Sequence, residues 1–287
     1  MSTTNHALGL EAKVKKASNK AAYSPLMETL ARLGYGVRGL IYIMMGFLAL
    51  KVTLGSGGSP TDMNGAIAAL GKQPGGLIFL VVILIGLICY SLWGVVRAVF
   101  DPLHKGTDMK GLIARGGFLF SAASYGLLIP GTYNLITGAA GSAGSGASTR
   151  QAMTKVMASP VGHWIIGLIG LAIIGGGIQQ ILMGFNNSFD KQFETYAMTP
   201  GEIKLATQLG RFGTATRGVI FALLGGLMCL AAYKSNPNQA IGLDSVLKEI
   251  LGFPLGIWIL GIVAVGLIAF GIYSMLSAAW FRLKRQG

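Results

Sequence analysis

Acidic residues are scarce in this chain. Ten Asp and Glu stand against 23 Lys and Arg, and only 11% of the 287 residues are charged. A soluble domain carries about 25% charged residues. Histidine and cysteine are scarcer still: His6, His104 and His163, with Cys89 and Cys229. The histidines fall in a tail, a loop and a helix end, so none can converge with another on a zinc or haem site. Cys89 belongs to the inner part of the second run and Cys229 to the outer end of the fifth, a difference in depth that argues against a disulfide. As small apolar residues they suit a buried position. No metal or cofactor is expected.

No Asp or Glu falls within an apolar run. Proton and sodium coupling usually rely on such groups, although backbone carbonyls can also hold sodium. The chain has no P-loop, no H-E-x-x-H and no G-x-S-x-G. The stretch GAAGSAGSGAS at Gly138–Ser148 fits a flexible linker by composition. These absences point to a protein that is not an enzyme. The formal charge of +13 is not a nucleic-acid signal, because no basic stripe is interleaved with aromatics.

What is present is apolar. Hydrophobic residues make up 52% of the chain. Six runs reach membrane-spanning length: Gly34–Leu54, Gly75–Phe100, Gly116–Thr137, Val161–Phe185, Phe212–Tyr233 and Phe253–Phe281. Residues 1–30 are basic and polar, lack the apolar core of a signal peptide, and read as a tail with a short amphipathic piece at Pro25–Leu33. Lys and Arg divide unevenly about the runs. The tails and the even-numbered connections, with the helix ends they join, hold 17; the odd connections hold six. The positive-inside rule then places both termini in the cytoplasm of a bacterial inner membrane.

The runs also repeat in pairs. Arg32, Arg115 and Arg211 each precede a glycine by two, at Gly34, Gly117 and Gly213. Six residues after the arginines come Arg38, Ser121 and Arg217, then Gly39, Ala122 and Gly218. Each second run opens with P-x-G, at Pro74, Pro160 and Pro254. A short amphipathic stretch precedes each proline and reads as an interfacial helix, with Asp244 a candidate N-cap of the last. The proline itself is expected in the first turn of the following helix. Gly39 with Gly46, and Gly218 with Gly225, are seven apart and offer close-packing faces.

The expected fold is an all-α integral membrane protein. Its six transmembrane helices form three parallel two-helix repeats, related by a pseudo-threefold axis along the membrane normal. The repeats span 31–103, 114–187 and 208–283. With R-x-G-x-x-x-R-G opening the first helix and P-x-G the second, the chain resembles the bacterial membrane family called domain of unknown function 1206. The resemblance implies six membrane helices and no particular activity. Mitochondrial carriers share the repeat arithmetic but not the motifs.

Two sets of residues are candidates for function. Arg38 and Arg217 sit about one turn into their helices, with Tyr42 and Phe221 four residues on for a cation–π contact. With Arg32, Arg115 and Arg211 they suit anionic lipid of the inner leaflet or a specific anion. The other set is the polar middle repeat: Ser121, Ser124, Tyr125 and Asn134 facing Gln179 and Gln180. Pro130 leaves the Gly126 carbonyl without a donor and permits a kink. These groups either pair as helix glue or line a polar cavity with Tyr125 at its floor. The functions that follow are an accessory or structural subunit binding anionic lipid or another membrane protein, or a conduit for a small solute. In a Cys89→Ala, Cys229→Ala background, single cysteines at Ser145 and Ser235 should label from outside intact cells and one at Thr107 should not; outside labelling at Thr107 would invert the topology.

Overall fold

Three of the spanning helices start well before their apolar runs. The computed structural model describes residues 25–103, 105–139, 154–159, 161–185, 199–234 and 243–280. The helices are α1 (Pro25–Thr53), α2 (Met63–Gly71), α3 (Gly76–Phe100), α4 (Met109–Gly126), α5 (Leu128–Thr137), α6 (Gly162–Phe185), α7 (Pro200–Tyr233), α8 (Leu243–Leu251) and α9 (Gly256–Trp280). Six spans are long and apolar enough to cross a membrane: α1, α3, α4 with α5, α6, α7 and α9. Among the described residues there is no strand.

The early starts have local causes. Asp108 caps α4, its carboxylate accepting from the Gly111 amide at 3.2 Å. Thr199 and Glu202 close a capping box on α7, with Pro200 at the first helical position. Pro25–Leu33 is continuous with α1 rather than a separate piece. Arg38 therefore lies 13 residues beyond the start of α1, about 20 Å along its axis, not one turn in.

The repeated P-x-G motif makes a turn. The Gly76, Gly162 and Gly256 amides bond the carbonyls of Gln73, Ser159 and Phe253 at 2.8, 2.9 and 2.9 Å. Pro74 and Pro254 occupy the second turn position, so the prolines precede their helices instead of entering them. The residues after them, Gly75 (φ 75°) and Leu255 (φ 63°), are left-handed, as a type II turn requires. A methyl group on Gly76, Gly162 or Gly256 would run into the carbonyl of Gly71, Val156 or Ile250. The glycine lets the short helix before it fold back tightly. Those short helices are α2, α8 and, in the middle repeat, residues 154–157. Asp62 caps α2; Asp244 lies inside the first turn of α8 and pairs with Lys248 at 3.3 Å.

Packing follows glycine. The closest crossings join consecutive repeats: α1 with α9, and α6 with α7. A methyl group on Gly39 would lie 2.7 Å from the Gly271 carbonyl oxygen, and one on Gly218 2.6 Å from that of Gly177. Gly46 and Gly225 repeat the contact two turns on, against Ala264 and Gly170. The same interface between α3 and the third span, α4 with α5, carries Ala122 and Ile129 in place of the two glycines and Ser91 in place of Gly271, and it is less close.

Within repeats the symmetry breaks. Gly34 accepts the backbone of Tyr90, and Gly213 that of Phe270. The equivalent Gly117 meets nothing, nor does Gly176, which stands where the other repeats have Tyr90 and Phe270. Accordingly α4 and α5 make no extended contact with α6. Among the described residues the six spans form a threefold-patterned ring, open between the third and the fourth. The third span is also interrupted at Leu127, three residues before Pro130, as loss of its amide donor dictates.

Gly39→Val and Gly218→Val should each lower the melting temperature of the purified protein in mild detergent, overpacking of this kind costing roughly 1–3 kcal/mol. Gly117→Val should leave it unchanged. Equal losses at all three positions would refute the open ring.

Candidate functional site

The first arginine of each repeat serves the backbone. The Arg32 Nη2 donates to the Ala279 carbonyl at 2.6 Å. The Arg115 guanidinium donates to Ala98 at 2.7 Å and Val99 at 3.1 Å. The Arg211 guanidinium donates to Gly184 at 3.1 Å and Phe185 at 3.5 Å. Each thus caps the last turn of the preceding repeat's second helix, whose carbonyls have no partner further along the chain. Positive charge there also complements the helix dipole. Arg32 reaches Glu28 as well, at 3.9 Å.

The second arginines lie deeper, and a third joins them. Arg38 on α1 and Arg97 on α3 are buried; Arg217 on α7 is half-buried. They alternate with aromatic rings. Arg97 lies over Phe118 (4.5 Å), Tyr90 (5.6 Å), Trp93 (5.7 Å) and Tyr35 (6.0 Å). Arg38 lies over Tyr35 (4.8 Å), Phe270 (5.0 Å) and Tyr90 (5.5 Å). Arg217 lies over Phe221 (4.7 Å), Phe270 (5.0 Å) and Tyr42 (5.6 Å). Phe221 thus meets its own arginine, as its spacing suggested. Tyr42 meets Arg217 rather than Arg38, because its ring turns edge-on to Phe270 at 4.7 Å.

Hydrogen bonds complete only part of this cluster. Arg38 donates to the Ser274 hydroxyl at 3.1 Å and to the Tyr90 hydroxyl at 3.0 Å. Tyr90, its oxygen taken, has its proton free for the Ser121 hydroxyl at 3.3 Å. Arg97 donates once, to the Tyr35 hydroxyl at 3.4 Å. Arg97 Nε and Nη2, Arg217 Nε and the Tyr42 and Tyr125 hydroxyls are buried with no hydrogen-bond partner. The ion pairs Arg32–Glu28 and Lys248–Asp244 lie elsewhere, and among the described residues no carboxylate pairs with Arg38, Arg97 or Arg217. Cation–π contacts return about 0.5–2 kcal/mol each, which offsets only part of the cost of burying a guanidinium.

Sequence reasoning found Arg38, Arg217, Ser121 and Tyr125, and the structure brings them together. It missed Arg97. The signal was there: Tyr90, Trp93 and Arg97, spaced three and four, share one helix face. The rest of the polar set is dispersed. Ser124 donates to its own helix at Phe120, 2.9 Å away. Asn134 is half-buried on α5, Gln179 is exposed on α6, and Gln180 reaches back to the Gly176 carbonyl at 3.4 Å. Tyr125 instead turns inward and packs on Tyr90, ring centroids 4.4 Å apart.

The segments that repeat this geometry, residues 33–101, 113–187 and 212–281, each match one family, described as Domain of Unknown Function (DUF1206). The chain belongs to that family. A relative over nearly its whole length is the "Uncharacterized protein YxxB" of Bacillus subtilis (strain 168), 33% identical over 261 residues, which cover 91% of this chain and 94% of that one. No solved structure matches.

Tyr90→Phe removes the acceptor of Arg38 and the partner of Ser121 together. It should destabilise the protein by about 1–3 kcal/mol, the cost of leaving a buried charged donor unsatisfied. A Ser121→Ala variant, which spares the arginine, should cost less. Denaturant titration in detergent checks the order, and the reverse order would show that Tyr90 is not the bridge.

Proposed function

We propose that this protein is a non-enzymatic, multi-pass accessory protein of the bacterial inner membrane that holds an anionic lipid headgroup at Arg38, Arg97 and Arg217. The observation that carries the reading is the cluster itself: three guanidiniums within one aromatic cage, no carboxylate paired with them among the described residues, and donors left over. A phosphate accepts several charge-assisted hydrogen bonds at once, and guanidinium forks suit it. The basic bias of the connections supports a site on the cytoplasmic side, facing the anionic leaflet. The bacterial relative supports the choice of membrane.

The first arginines, Arg32, Arg115 and Arg211, act in this reading as caps that hold the cage in shape. A conduit finds less support. A lumen needs polar walls, whereas Tyr42, Met45, Trp93, Leu260 and Leu267 fill the space between the spans and are fully buried. The exposed apolar faces leave room for a membrane-protein partner alongside the lipid, and stoichiometric co-purification in mild detergent would reveal one.

Arg38→Gln with Arg217→Gln should lower the anionic phospholipid retained through purification about tenfold or more, since each charge-assisted bond is worth about 1.5–3 kcal/mol. The protein should still insert with six spans. Lipid analysis by mass spectrometry reads the result. Unchanged lipid content in a correctly inserted variant would overturn the proposal.

A further inference from the structure

The unpaired arginine nitrogens are not spread evenly around the cage. Arg38, on α1, is bonded through Nε and Nη1. Of the three cage arginines, the two with unbonded buried nitrogens are Arg97 and Arg217; the Tyr42 hydroxyl on α1 is unpaired as well. Arg97 projects from α3, which packs on α4; Arg217 projects from α7, which packs on α6. Arg97 thus meets one border of the open side through Phe118 of α4, while Arg217 stands on the helix next to the other border with its guanidinium over rings of α1, α7 and α9. Two more unpaired atoms belong to the helices that border the opening: the Tyr125 hydroxyl on α4, whose residue is 2% exposed, and Gln180 Oε1 on α6.

The cage lacks a wall on the same side. Where the other repeats place Tyr90 with Trp93, and Phe270 with Tyr273, α6 has Gly176 with Gln179. Five of the spans contribute a ring or a charge to the cluster, and α6 contributes neither. The third and fourth spans are also the least buried of the six.

We infer that the opening between α4 and α6 is a lateral entrance for one anionic phospholipid. Its phosphate reaches Arg97 and Arg217 while its acyl chains stay along α4 and α6. This rests on the anionic-lipid reading and deepens it. A dissolved anion would have to cross hydrocarbon to use an opening between two spanning helices; a lipid brings its phosphate there on apolar chains. A second copy of this chain is the poorer occupant. It would set a like-charged cluster against this one, and like charges across an interface repel.

The test uses the full chain in phosphatidylcholine nanodiscs carrying a small fraction of phosphatidylglycerol with a photoreactive acyl chain. Adducts should concentrate several-fold on α4 and α6 over the outward face of α9. A photoreactive phosphatidylcholine should mark all exposed faces alike. Arg97→Gln with Arg217→Gln should abolish the concentration. Gln179→Trp, at an exposed position, keeps every arginine and should reduce adducts on α4 by filling the opening. Uniform adducts from phosphatidylglycerol that is still retained through the arginines would overturn the entrance and leave the lipid site standing. Failure to retain phosphatidylglycerol over phosphatidylcholine in the unaltered protein would overturn both. Spontaneous disulfide dimers of a Gln179→Cys protein would assign the opening to a second copy and overturn the inference.

Discussion

A helix leaves its last carbonyls without donors, and hydrocarbon supplies none. In this chain each such end is met by a guanidinium from the repeat that follows in the ring: Arg115 on α3, Arg211 on α6 and Arg32 on α9. The cap sets the register of the two helices it joins. In that register Gly39 meets Gly271, Gly218 meets Gly177, and Ala122 meets Gly94. Close approach of the backbones follows, and with it the depth at which Arg38 and Arg217 enter the interior. The buried charges are thus placed by the half-exposed ones.

The middle repeat keeps the cap and loses the cage. Arg115 remains, but Ser121 replaces an arginine and Gly176 an aromatic ring. The two losses are matched physically. Without the ring, Gly117 has nothing to pack against, and the hairpin of that repeat does not close. Without the arginine, the Ser121 hydroxyl takes up Tyr90, which Arg38 already holds. Arg97 then supplies a third charge from a position with no counterpart in the other repeats, where Met183 and Ser277 stand.

Much of this was legible in the residues. Six spans, the three pairs, the glycine crossings and the short helices before each proline follow from run length, spacing and small-residue faces. The helix starts were not, because Arg32, Arg115 and Arg211 read as flanking charges while the caps that extend the helices lie in polar sequence. Nor was the role of P-x-G, since a proline before a helix and one in its first turn leave the same trace in one dimension. The cage was half legible. Arg38 and Arg217 stood out by repetition, whereas Arg97 was hidden by being unique. The open side was not legible at all: Gly117 looks like its two counterparts, and only the missing ring at Gly176, 59 residues on, explains why it packs differently.

The bond from Arg32 to Ala279 spans 247 residues. During synthesis α1 leaves the ribosome before the other five spans described, and α9, which carries its closest crossing, after them. That helix must wait in the bilayer with its glycine face uncovered until α9 is made. By contrast α6 and α7 are neighbours in sequence and can join as soon as both are made. Assembly then runs from the back of the chain to the front, and a nascent protein stalled before α9 would present that bare glycine face to any lipid or chaperone at hand.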